Sequence, residues 1–139
     1  MITSGKIHYT DGWKYILERT WSAQTNIRPP KAIRYKNISL GKKGLLTLTP
    51  GFPWDGPSGP THDTPNSMAA SAGHDALYRL MRLGLLARKW RKAADEVFYW
   101  ILREKRMSKI RATAWYQSVR RLAKSATKAA NRKKVLVAP

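Results

Sequence analysis

Between residues 50 and 65 the chain carries Pro50, Pro53, Pro57, Pro60 and Pro65 together with three glycines. Proline fixes φ and removes an amide donor, so this density predicts a loop and cuts the chain into two halves of different character. Phe52, Trp54 and the Asp55-Gly56 pair are poor choices for a flexible spacer, which makes an ordered loop the expectation. At its end, Thr64 followed by Pro65 suits a helix N-cap and the first helical position.

Before the loop the pattern is that of strands. Residues 6–23 place Thr10-Asp11-Gly12 between aromatic and β-branched runs, as a hairpin turn would. Residues 32–40 alternate at Ile33, Tyr35, Ile38 and Leu40 with one slip, and Gly41-Lys42-Lys43-Gly44 then turns the chain into Leu45–Thr49. This predicts a small antiparallel β-region with one packed face, serving as scaffold.

After the loop the period changes to that of helices. One helix is expected to run to about Arg82 and close at Leu83-Gly84. A second covers about Ala87–Lys105, with Trp90, Ala94, Val97 and Ile101 on one stripe. Ser108 can cap a third, in which Trp115, Val119 and Leu122 line one face. The fold class is therefore α+β, a β-region followed by a three-helix core. At 139 residues, 42% of them hydrophobic, the expectation is a single domain over residues 1–126: β-region 1–50, Pro/Gly-rich loop 51–65 and helical core 66–126. Residues 127–139 form a basic tail suited to contact or mobility.

The chain has no cysteine, which excludes disulfides and thiolate metal sites. The amino terminus lacks the apolar stretch of a secretory signal, and no apolar run approaches the roughly 20 residues of a membrane span. A soluble protein is expected. Charge is uneven: residues 1–78 hold nine Lys/Arg against five acids, and residues 79–139 hold eighteen against three. So positive a second half attracts nucleic acid, an anionic lipid surface or an acidic protein, or is a solvated face. The tryptophans fit core or interface positions better than lipid anchors.

Only eight residues are acidic, yet Asp55, Asp63, Asp75 and Asp95 cluster between positions 55 and 99 with His62 and His74. His74 and Tyr78 are four apart and share a helix face, while Asp75 lies about 100° around from His74. An antiparallel second helix can return Asp95 to His74, with Tyr78 near enough to hydrogen-bond it. An imidazole held this way is a general base in a fixed tautomer, or one half of a structural pair. Asp75 and the Asp55-Gly56 turn offer oxygen ligands of the kind calcium takes, or else a turn cap and a partner for Arg79. Zinc is disfavoured for want of cysteine or a second well-spaced histidine apart from His62. His62-Asp63 suits capping or turn duty better than ligation.

In order, Asp55-Gly56-Pro57-Ser58, His74-Asp75-Ala76-Leu77-Tyr78, Asp95-Glu96-Val97-Phe98-Tyr99 and Ala114-Trp115-Tyr116-Gln117-Ser118-Val119 resemble the catalytic core of the small bacterial and fungal secreted phospholipases A2. The likeness spans about residues 51–123. The same WDG, HDxxY and AD order, with a β-region ahead of it, is similar to an uncharacterised family of tailed-phage and prophage proteins over most of the chain. The first resemblance implies a phospholipase-A2-like core and a calcium-dependent lipid ester hydrolase. His74 would be its base, Asp95 the orienting partner and Tyr78 the support of Asp95. Asp55, the Gly56 carbonyl and Asp75 would hold calcium in the loop of residues 51–65. The second implies a phage virion or tail protein, in the particle or the host cytoplasm. Its basic surface would meet anionic phospholipid, DNA or an acidic virion neighbour, with or without turnover.

Overall fold

The computed structural model describes residues 4–10, 15–55 and 64–122. Among these, seven short strands precede three α-helices, the α+β order expected. Strands β1 (Tyr9–Thr10), β2 (Tyr15–Leu17) and β7 (Pro53–Trp54) form a three-stranded antiparallel sheet in the order β1-β2-β7. Strands β3 (Trp21–Gln24), β4 (Ile33–Tyr35), β5 (Ile38–Leu40) and β6 (Leu45–Leu48) form a second sheet in the order β3-β6-β5-β4.

The predicted first hairpin is β1 with β2, in the register Tyr9 to Leu17 and Thr10 to Ile16; Asp11 and Gly12 lie outside the described residues. The slip in residues 32–40 is a turn. Lys36, at φ 49°, and Asn37 fold what alternation alone suggests is one strand into the β4–β5 hairpin, pairing Tyr35 with Ile38. Period two then holds within each piece: Trp21 and Ala23, Ile38 and Leu40, Leu46 and Leu48 are all buried. The proline-rich loop also departs from expectation, because Pro53 and Trp54 pair with Ile16 and Tyr15. Proline is tolerated there because β7 is the sheet's edge strand.

Helix α1 (Pro65–Arg82) begins where the Thr64-Pro65 signal places it. Thr64 is extended at φ −126°, and its amide donates to Ser67 Oγ at 3.2 Å. The helix closes at Leu83 and Gly84, whose φ of +74° reverses the chain. A 3-10 turn over Arg88–Trp90 leads into α2 (Arg91–Glu104), so the second helix starts slightly later than its apolar stripe suggests. Helix α3 (Lys109–Leu122) follows, and the Arg111 amide donates to Ser108 Oγ at 3.2 Å.

One continuous core joins sheet and helices. Trp21 of β3 rests on Gly73 of α1, where an added Cβ would lie 3.2 Å from the indole ring. Trp54 of β7 donates its indole N–H to Ser71 Oγ at 3.1 Å, so both sheets grip the same helix just ahead of His74. At the far end Ser4 donates to Glu104 Oε1 at 3.0 Å, and Lys105 Nζ to the Gly5 carbonyl at 3.0 Å, tying the chain's beginning to the end of α2. Trp21, Trp54 and Trp115 are core residues.

Gly44 closes the β5–β6 turn at φ +92°, and its carbonyl accepts from both the amide and the hydroxyl of buried Thr25, at 2.9 and 2.7 Å. A Cβ there would stand 2.9 Å from the Ile27 carbonyl oxygen and closer still to that of Thr25. Gly44→Ala is expected to cost about 2–4 kcal/mol, combining left-handed strain with overpacking, measured as a fall in the urea midpoint at unchanged m.

Candidate functional site

Asp95 sits on the apolar stripe of α2 among Ala94, Val97, Phe98 and Ile101, with no exposed surface. A carboxylate placed there is costly unless donors surround it. They come from all three helices. His74 Nε2 of α1 lies 2.7 Å from Oδ1, and the Tyr78 hydroxyl, one turn further along α1, donates to the same oxygen at 2.5 Å. Arg120 Nη1 of α3 donates to Oδ2 at 2.7 Å, with Arg91 Nη2 a further 4.0 Å from it. Arg91 is fixed in turn by donating to the Arg120 carbonyl at 2.5 Å.

These contacts set the charge states. Burial works to raise the Asp95 carboxyl, but the hydrogen bond and charge of His74, joined by bonds from Tyr78 and Arg120, outweigh it and hold the group below the usual carboxylate range. Burial first, and then the bond to Asp95, push the Tyr78 phenol above its ordinary value, so it remains a protonated donor. The bond to Asp95 raises Arg120. With Asp95 ionised, Oδ1 can only accept, so whenever the His74 ring is neutral its hydrogen sits on Nε2 and its lone pair on Nδ1. Nδ1 has no hydrogen-bond partner among the described residues. The ring packs on Tyr78 and Phe98, with centroids at 4.1 and 5.1 Å, and its side chain is 12% exposed. Such a ring has little rotational freedom and little exposed surface.

His74, Tyr78 and Asp95 are thus brought together as their spacing suggests. Asp75 faces elsewhere. Its Oδ2 takes Arg79 Nη2 at 2.7 Å, and Arg79 also donates to the Pro53 carbonyl at 2.7 Å and stacks over Phe52 at 4.8 Å. Arg82, lowered chiefly by burial, lies within electrostatic reach of both Asp75 and Asp55. Gly56, His62 and Asp63 lie outside the described residues. No group of three or more His, Cys, Asp or Glu assembles among the described residues. Arg79 pairs with one oxygen of Asp75, and the Gly56 carbonyl expected beside Asp55 and Asp75 in a calcium set lies outside the described residues.

Arg91 and Arg120 are the members that sequence reasoning did not find. Arg91 could have been found, since it precedes Asp95 by four residues on one helix. Nothing local marks Arg120, whose place follows only from how α3 folds back on α2. No family model, curated protein or solved structure matches the chain. No helix among the described residues is long and apolar enough to cross a membrane.

A depressed carboxyl contributes stability that is present above its unfolded pKa and lost as the pH falls through its folded pKa. The Asp95 contribution should therefore be complete above about pH 4 and fade below it. Tyr78→Phe removes one donor and should shrink that acid-labile component by about 1–2 kcal/mol. The difference between wild-type and variant urea midpoints, followed from neutral pH into acid, measures this. The remaining carboxylates titrate in both proteins and cancel.

Proposed function

We propose that the protein is a phospholipase-A2-like lipid ester hydrolase in which His74 activates water and Asp95 orients it. The observation that carries this is the His74 Nε2 contact with a fully buried carboxylate, which leaves Nδ1 as the free acceptor. Water adds its oxygen to the ester carbonyl carbon while Nδ1 takes the proton, and the imidazolium gains from the charge of Asp95. Collapse of the tetrahedral adduct breaks the acyl C–O bond. The proton returns from Nδ1 to the departing alkoxide, leaving a fatty acid and an alcohol. Tyr78 is a positioning residue, holding Asp95 rather than touching substrate. No step is routed through calcium, because Arg79 holds Asp75.

The test is fatty-acid release from mixed anionic phospholipid vesicles. His74→Ala is expected to lose about hundredfold or more, the usual scale of general-base catalysis, and Asp95→Asn about tenfold or more. Equal background in wild type and His74→Ala would remove the hydrolase reading.

A second reading is favoured by Arg120. Its bond to Oδ2, with Arg91 behind it, already balances the Asp95 charge and ties α1, α2 and α3 together, as a purely structural clasp would. The protein would then be a non-catalytic virion component whose basic surface meets DNA or an acidic neighbour. Exposed Arg88, Lys89, Lys92, Arg103, Arg106, Lys109, Arg111 and Arg121 supply that surface along the helices. Binding to duplex DNA should then weaken by about tenfold or more between 50 and 200 mM salt, a slope set by released counterions. Salt-independent binding would rule out the basic helices as the contact.

A further inference from the structure

Between α2 and α3 lies an open groove of about 310 Å³, most of whose surface is apolar. Glu96, Tyr99 and Trp100 of α2 and Thr113, Tyr116 and Gln117 of α3 line it. Both helices supply residues at i, i+3 and i+4, so helical spacing builds the groove. The Tyr99 ring stands nearly perpendicular to Trp100 and to Tyr116, at 84° and 76°, with centroids 5.0 and 5.9 Å away. Rings at right angles do not stack on one another. Trp100 is 45% exposed, whereas Trp21, Trp54 and Trp115 are buried. A ligand with a planar apolar face would remove that indole from water.

Each helix continues its lining row into a cation at both ends. Lys92 lies four residues before Glu96 and Arg103 four after Tyr99; Lys109 lies four before Thr113 and Arg121 four after Gln117, and all four are exposed. Asp95 meets Arg120 and Tyr99 meets Tyr116, so the two helices run antiparallel. Lys92 therefore shares one end of the groove with Arg121, and Arg103 shares the other with Lys109. Arg103 Nη1 donates to the Met107 carbonyl at 2.9 Å, which holds it at that end. Lys92 and Arg103 are eleven residues apart, about 16 Å along the helix axis. Cationic ends so separated do not serve one phosphate; they match a polymer charged at every unit. Glu96 between them disfavours an anion in the middle.

We propose that this groove binds single-stranded DNA, its bases stacked on Trp100 and the neighbouring tyrosine rings. Separate backbone phosphates meet Lys92 and Arg121 at one end and Arg103 and Lys109 at the other. Every base has a π-face, so rings flanked by cations hold a single strand without reading its sequence. In a duplex those faces are covered by neighbouring bases, and the rings gain nothing. A second copy of this chain is disfavoured, since it brings another +19 to the same basic ends. An acidic polypeptide would meet the cations but carries no planar group at every unit. The choice of DNA rests on the DNA-contacting reading above.

Titration of the full chain with a short oligo-dT strand, followed by tryptophan fluorescence and by anisotropy, tests the groove. Stacking is expected to quench Trp100. Trp100→Ala should weaken binding by about tenfold, and Trp100→Phe by less, because the phenyl ring keeps a face for the base. Lys92→Ala and Lys109→Ala, one at each end, should each lower the slope of log affinity against log salt by about 0.7, a single phosphate contact apiece. All three positions are exposed, so the variants should keep the wild-type urea midpoint. Wild-type affinity in Trp100→Ala, or an abasic strand binding as tightly as oligo-dT, would reduce the contact to charge alone and overturn the groove. Tighter binding of oligo-rU than of oligo-dT overturns DNA as the occupant. Polyglutamate binding that Trp100→Ala weakens as much as oligo-dT binding overturns it in favour of an acidic polypeptide. Duplex DNA separates this inference from the reading it rests on. Salt-dependent duplex binding with no binding of oligo-dT removes the groove alone, and loss of both removes the groove and the DNA-contacting reading together.

Discussion

A single buried carboxylate organises the helical half of this protein. Asp95 has no contact with water, and in an apolar interior an unmatched negative charge would be untenable. Its two oxygens are met by His74 and Tyr78 from one helix and by Arg120 from another, so the three helices must hold one arrangement for the charge to be tolerated at all. Apolar packing alone would accept several helix crossings of similar stability. The directional bonds to Asp95 accept one, and breaking them singly leaves the rest of a buried network unpaired.

The sheets act on this network from a distance. Trp21 and Trp54, from different sheets, bear on Gly73 and Ser71, which lie one and three residues before His74. The lack of a side chain at Gly73 lets the indole of Trp21 come against the helix backbone, and this sets the depth at which α1 lies on the sheet. The β-region is in this sense a support for one turn of α1. On the neighbouring face of the same turn, Arg79 links Asp75 to the Pro53 carbonyl and the Phe52 ring, joining the edge of the first sheet to the helix.

The same geometry serves a hydrolase or a structural clasp because both need a carboxylate and an imidazole held rigidly. What separates them is the balance of charge on Asp95. His74 alone on that carboxylate would feel its full negative field, and the imidazolium of a catalytic cycle would be stabilised accordingly. Arg120 and the more distant Arg91 share that field.

Much of this was legible from the chain itself, where local rules operate. Thr64-Pro65 marked the start of α1, Gly84 its end and Ser108 the cap of α3, because capping and turn chemistry act within a few residues. The HDxxY spacing put His74 and Tyr78 on one face, and a short helical turn sufficed to return Asp95 to them. Alternation could not separate a slip from the turn at Lys36-Asn37, since both shift the pattern by the same step. Nor could it find β7, a two-residue strand that exists only because β2 offers it an edge. Spacing likewise could not choose the partner of Asp75, which Arg79 takes four residues along the same helix, or bring Arg120 to Asp95 across 25 positions. Local rules sufficed for the three helices and for the face of α1 that carries His74 and Tyr78, because capping, turn and helical-spacing effects act over a few residues. Only the tertiary structure decided which cations meet which carboxylates, because charge is neutralised by whatever lies nearest in space, and that is settled when the helices pack.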